Sequence, residues 1–71
     1  MTLLVWQYPG KHPTVTDIRA GRQWYESKDR ALSAVEVRPE DAEALGAGVD
    51  GLQVIPDGRV TPGTLFFVVA E

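Results

Sequence analysis

Groups that could do chemistry are sparse in these 71 residues. There is one histidine, His12, and there is no cysteine. Disulfides, thiolate metal sites and a multi-histidine metal centre are therefore excluded. As a general base, His12 would need a nucleophile or a carboxylate within hydrogen-bond reach. It lies between Lys11 and Pro13, and no spacing ties Asp17, Ser27, Ser33 or the threonines to it. A solvent-exposed loop histidine is the expectation, and the chain reads as non-catalytic, with no cofactor and no metal.

Two other patterns resemble sites and are better read as local structure. Gly46-Ala47-Gly48-Val49-Asp50-Gly51 matches G-x-G-x-x-G letter for letter. That fingerprint works only when a strand precedes it and a helix follows. Here the expected order is reversed, so the segment reads as a glycine-rich connection from helix to strand. Glu40, Asp41 and Glu43 do not share one helical face and lack the glycine-punctuated loop of a calcium site. They read as the acidic, solvated start of a helix. Asp50-Gly51 and Asp57-Gly58 are ordinary turn dipeptides.

The aromatic residues are the candidate binding set. Trp6 and Tyr8 alternate on one face of an expected strand, Trp24 and Tyr25 follow later, and Lys11, Arg19 and Arg22 lie between them in sequence. Tryptophan, tyrosine and arginine dominate protein-binding hot spots. Aromatics ringed by bases also stack the bases of single-stranded nucleic acid in small barrels. The plain alternative is that Trp6 and Trp24 only form the core. Trp6, Tyr8, Lys11, Arg22, Trp24 and Tyr25 are taken as the partner-binding candidates. Protein, either a second copy or another chain, is the expected partner, with single-stranded nucleic acid as the alternative.

Charge bears on that choice. The net charge is −3, and nucleic-acid affinity comes mostly from neutralising phosphates. The distribution is uneven: up to Val35 there are five bases against three acids, and from Glu36 onward two against seven. The first half also holds every tryptophan and tyrosine. The longest apolar run, Leu65–Ala70, is far below the ~20 residues that span a bilayer. Met1-Thr-Leu-Leu-Val-Trp6 lacks the features of a signal peptide. No membrane association and a cytoplasmic location (host cytoplasm or particle, if viral) are the expectations.

One domain is expected over residues 1–71, with a core made marginal by its size. Leu3–Tyr8 reads as a strand with two apolar faces, ended by Pro9-Gly10. Residues 14–20 and 22–26 read as strand pieces from their β-branched and aromatic content, with Gly21 as a bulge or bend. Residues 31–37 fit either a helix or a strand, with Val35-Glu36-Val37 tipping them to strand. Pro39–Leu45 is the clearest helix: proline at its first position, acids in its first turn and Gly46 to cap it. Leu52–Ile55 reads as a strand, followed by a hairpin-like tail through Arg59-Val60-Thr61 to Leu65–Ala70. The first and last strands, both two-faced, are expected as adjacent central strands.

The expected fold is α+β and β-rich, a small rolled antiparallel sheet or partly open barrel with one short helix. The expected role is a non-catalytic interaction module. It would be a structural or assembly subunit, for example of a virus particle or another multi-chain complex, or a protein-binding regulator.

Overall fold

Local signals in the sequence build a βαβαβββ chain. The computed structural model describes every residue from Met1 to Glu71. Its elements are β1 (Leu3–Gln7), α1 (Val15–Glu26), β2 (Leu32–Val37), α2 (Pro39–Leu45), β3 (Gly48–Val49), β4 (Leu52–Pro56) and β5 (Thr64–Val69). The five strands form one sheet in the order β1-β5-β2-β4-β3. β5 runs antiparallel to both β1 and β2, whereas β2 and β4 are parallel. The domain is α+β and β-rich. Its sheet is mixed and does not close into a barrel, and it carries two helices.

Helix α1 replaces the two strand pieces expected over residues 14–26. Strand propensity there loses to a capping box. The Thr14 hydroxyl accepts from the Asp17 backbone N–H at 3.2 Å, and the Asp17 carboxylate accepts from the Thr14 N–H at 2.8 Å. Such reciprocal satisfaction of free N–H groups starts a helix firmly. Helical spacing then carries Ile18, Gly21 and Tyr25 towards the sheet. Gly21 is not a bulge but the point of closest approach. A Cβ built on it would lie 2.6 Å from Phe67 Cε2 and 2.9 Å from Trp6 Cδ2. α2 has the bounds and the Gly46 cap that its sequence suggests, with Gly46 at φ 87°.

The tail is not a hairpin. β4 ends at Pro56 and β5 begins at Thr64, so Arg59-Val60-Thr61 is loop. β2 separates β4 from β5, and a seven-residue loop crosses it. The tight hairpin is elsewhere: Asp50 (φ 51°) and Gly51 (φ 85°) join β3 to β4. Positive φ at both central residues matches the right-handed twist of paired strands.

Both helices cover the same face. Viewed along the sheet order, β1 to β2 and β2 to β4 step in the same direction. Right-handed crossovers then place α1 and α2 on one side. The core confirms it. Ile18 and Tyr25 of α1 and Ala42 and Leu45 of α2 share a cluster with Trp6, Val35, Val37, Leu52, Val54, Leu65 and Phe67. A register shift between Leu32 and Ala34 lets Leu32 join this cluster while Ala34 pairs with Val68 on the other side. The reverse face carries the rows Leu3/Val68/Ala34/Gln53 and Val5/Phe66/Glu36/Ile55. No helix packs there.

β1 and β5 are adjacent, as their two-faced character suggests, but only β5 is central; β1 is an edge. Leu65 and Phe67 are fully buried.

The packing at Gly21 is testable. Gly21→Ala gains ~1 kcal/mol of helix propensity but drives a methyl into the fixed Phe67 and Trp6 rings, an overpacking that costs about 1–3 kcal/mol. The expected outcome of urea denaturation is a net loss of stability. A variant at least as stable as the parent would show that α1 does not seat on β5 through this glycine.

Candidate functional site

The outward groups of an edge strand are set by alternation. Thr2 C=O accepts from Val69 N–H at 3.0 Å, and Tyr8 N–H donates to Gly63 C=O at 3.1 Å. Even-numbered residues of β1 therefore bond to β5. The N–H and C=O groups of Leu3, Val5 and Gln7 point away from the sheet. One of these is capped: the Tyr25 hydroxyl donates to Val5 C=O at 2.5 Å. The side chains of Leu3 and Val5 lie on the reverse face, and Val5 is 51% exposed.

On the helix side of the same edge, Trp6, Ala20, Gln23, Trp24 and Ser27 line an open groove of about 360 Å³. Trp6 is half-buried, with its ring edge-on to Tyr25 at 6.1 Å, and Tyr25 stands edge-on to Phe67 at 5.9 Å. This aromatic chain holds the inner wall of the groove to the core. Trp24 forms the outer wall and is 52% exposed. The Lys28 ammonium lies 4.7 Å from its ring centroid, a cation–π contact on one ring face.

The six residues singled out from the sequence are thus divided. Trp6, Trp24 and Tyr25 come together beside β1. Tyr8 is not a surface anchor; it is buried and its hydroxyl has no hydrogen-bond partner. Burial raises its pKa above that of an ordinary tyrosine. Arg22 lies on the opposite flank of α1, where it bonds to Glu26 and to the Asp50 carbonyl. With the Arg19–Asp50 pair, it ties α1 to the β3–β4 hairpin. Lys11 sits in the β1–α1 loop, and its carbonyl accepts from Arg38 at 2.9 Å. Leu3 and Val5 are the members that sequence reading overlooked. Their alternation with Leu4 and Trp6 was visible, but the edge position of β1 was not.

His12 does have a carboxylate partner. Its Nδ1 lies 2.6 Å from Oδ1 of Asp41, a residue 29 positions away whose side chain is only 4% exposed. Arg38 Nε donates to the other Asp41 oxygen at 3.1 Å. Hydrogen bonds to both oxygens satisfy the buried carboxylate. They also pin the β1–α1 loop to α2. No serine or cysteine stands in this network, and its visible work is positional.

A second buried carboxyl lies on the reverse face. Glu36 is 6% exposed, and its Oε1 has no hydrogen-bond partner. Burial and the neighbouring Asp57 push its carboxyl above the usual range, while Arg59 opposes the shift. Asp57 moves the other way, held well below the usual range chiefly by the Arg59 guanidinium. No group of His, Cys, Asp or Glu side chains is arranged to hold a metal ion. No helix is long and apolar enough to cross a membrane.

The raised pKa of Glu36 sets a pH dependence. Its favourable contribution is present in acid and is lost as pH rises through its folded-state value. Glu36→Gln is therefore expected to be more stable than the parent at neutral pH. The gap should close towards about pH 4, where an ordinary glutamate takes up its proton. Equal stability at all pH values, measured by urea denaturation, would show that the Glu36 carboxyl is not strained by burial.

No protein-family model matches the chain, and neither a curated protein nor a solved structure matches it, so function rests on the geometry alone.

Proposed function

We propose that the chain is a protein-binding module whose β1 edge takes up an extended strand. The observation that carries this reading is the edge itself, on which only the Val5 C=O has a partner, the Tyr25 hydroxyl. β1 presents outward backbone groups at Leu3, Val5 and Gln7, with an aromatic groove on one side and exposed aliphatic side chains on the other. Strand addition uses that combination. Main-chain hydrogen bonds give affinity, and alternate side chains of the added strand fall to opposite faces. Here one set would meet the Trp6–Trp24 groove and the other would meet Leu3 and Val5.

The distribution of exposed apolar side chains supports the same place. Of the exposed large hydrophobics Met1, Leu3, Val5, Val15 and Trp24, three belong to β1 or its groove. A strand-accepting edge needs no catalytic set. It suits either an assembly subunit or a regulator that captures another chain. Single-stranded nucleic acid fits less well. Trp6 and Tyr25 are packed into the core side of the groove, Tyr8 is buried, and Lys28 already occupies one face of Trp24.

Panning a random peptide library against the immobilised domain tests the reading. Selected peptides are expected to shift the amide signals of Leu3, Val5 and Gln7 and the indole signal of Trp24. Trp24→Ala should weaken them at least tenfold, about 1.4 kcal/mol. Peptides that map to another surface, or none at all, would overturn it.

A further inference from the structure

We propose that a second copy of this chain occupies the β1 edge. The two β1 strands would pair antiparallel about a twofold axis at Val5. This rests on the strand-addition reading and names its occupant.

β1 is complementary to itself. In an antiparallel pair centred on Val5, the outward groups of Leu3 face those of Gln7 in the other copy, and Val5 faces Val5. Each outward N–H then meets an outward C=O. Tyr25 occupies one lone pair of Val5 C=O, and a carbonyl oxygen has a second. A twofold contact of this kind closes on itself and yields a dimer, not a fibre.

Charge on the strand permits the same occupant. Leu3-Leu4-Val5-Trp6-Gln7 carries no charge in a chain of net charge −3. The two β1 strands can pair without opposing like charges, which are destabilising when directly opposite across strands. Natural edges that avoid self-pairing carry lysine, proline or a bulge, or are very short. β1 has none of these protections over its 5 residues, whereas the other edge strand, β3, has 2 residues.

The faces also match. On the reverse face, Val5 would pack against Val5 of the other copy, next to Phe66 of each chain. On the helix side, Leu4 and Trp6 would meet across the axis, with the Trp24 side of each α1 alongside. A stable interface buries roughly 1,200 Å² or more in total. A five-residue edge alone is smaller than that, so the Trp6–Trp24 groove must close over the axis as well. The dimer is therefore expected to depend on concentration.

The test uses the full chain with Val5→Lys and Val5→Glu, at a position 51% exposed. Light scattering over a concentration series should show the parent rising from the mass of one chain to that of two. Each variant alone should remain at one. An equimolar mixture of the two should recover the dimer, because opposite charges then face each other at the axis. Should either variant fail to fold by circular dichroism, hydrogen exchange on the parent decides. The Leu3, Val5 and Gln7 amides must gain protection as concentration rises, while amides elsewhere on the surface do not. A parent that stays monomeric, variants that dimerise as it does, or exchange independent of concentration would overturn self-pairing. Library peptides that still bind at Leu3, Val5 and Gln7 of a monomeric parent would leave strand addition standing and remove only the second copy.

Discussion

Insertion of β5 between β1 and β2 is the constraint on which the rest of this molecule depends. β5 supplies partners on both sides: Phe67 is opposite Leu4 on one flank and opposite Val35 on the other. It also supplies the ring on which α1 seats. The contact of Gly21 with Phe67 and Trp6 joins the neighbouring elements β1 and α1 to the distant β5. The β1–β5 pairing forms only when residues near both ends of the chain meet. Loop-closure entropy must be met before the gain appears, which favours all-or-none formation. A small domain without disulfides gains cooperativity from such a central strand.

The same insertion explains what is left uncovered. With β5 in the middle, β1 is displaced to an edge although it is parallel to β2. Both crossovers then advance the same way along the sheet, and their common hand stacks both helices on one face. The result is two layers with one bare sheet face. Ala34 and Val68 on that face are screened by their neighbours in the sheet, whereas Leu3 and Val5, at its margin, are not. Apolar exposure in this protein follows from topology, not from an unusual composition.

Legibility in the sequence divides along similar lines. The α+β class, the α2 helix and the pairing of the first and last strands could be read, because they rest on local signals or on runs apolar on both faces. α1 could not. Val15, Thr16 and Ile18 favour strands, and what overrode them was a capping box two turns upstream of the tryptophan together with a tertiary need for a glycine beneath Phe67. The parallel β2–β4 pair was missed because the turn at Pro56-Asp57-Gly58 resembles a hairpin but opens a longer loop. At the candidate site, residue type pointed to Trp6, Trp24 and Tyr25, which the fold brings together beside β1. It also offered Tyr8 and Arg22, which burial and the Asp50 carbonyl claim for structure. The His12–Asp41 contact joins residues 29 apart, a separation at which spacing carries no signal.

The contrast between the two sheet edges supports the proposed strand-accepting role more directly than any motif. Every open sheet has two edges, and each is a hazard unless it is shortened, charged or covered. At the β3 edge this chain uses brevity, and Arg19 and Arg22 anchor the adjoining hairpin to α1. At the β1 edge it places five uncharged residues, caps one carbonyl with Tyr25 and leaves the neighbouring donors outward. A helix on the reverse face would have buried Val5 and Leu3, and a lysine on the strand would have discouraged pairing at the edge. Retaining an aliphatic, uncharged edge next to an exposed tryptophan leaves apolar surface in water, at roughly 25 cal/mol per Å². In the proposed role a partner strand would recover that energy on binding, and the β1 edge is where a second chain would complete the fold's physical logic.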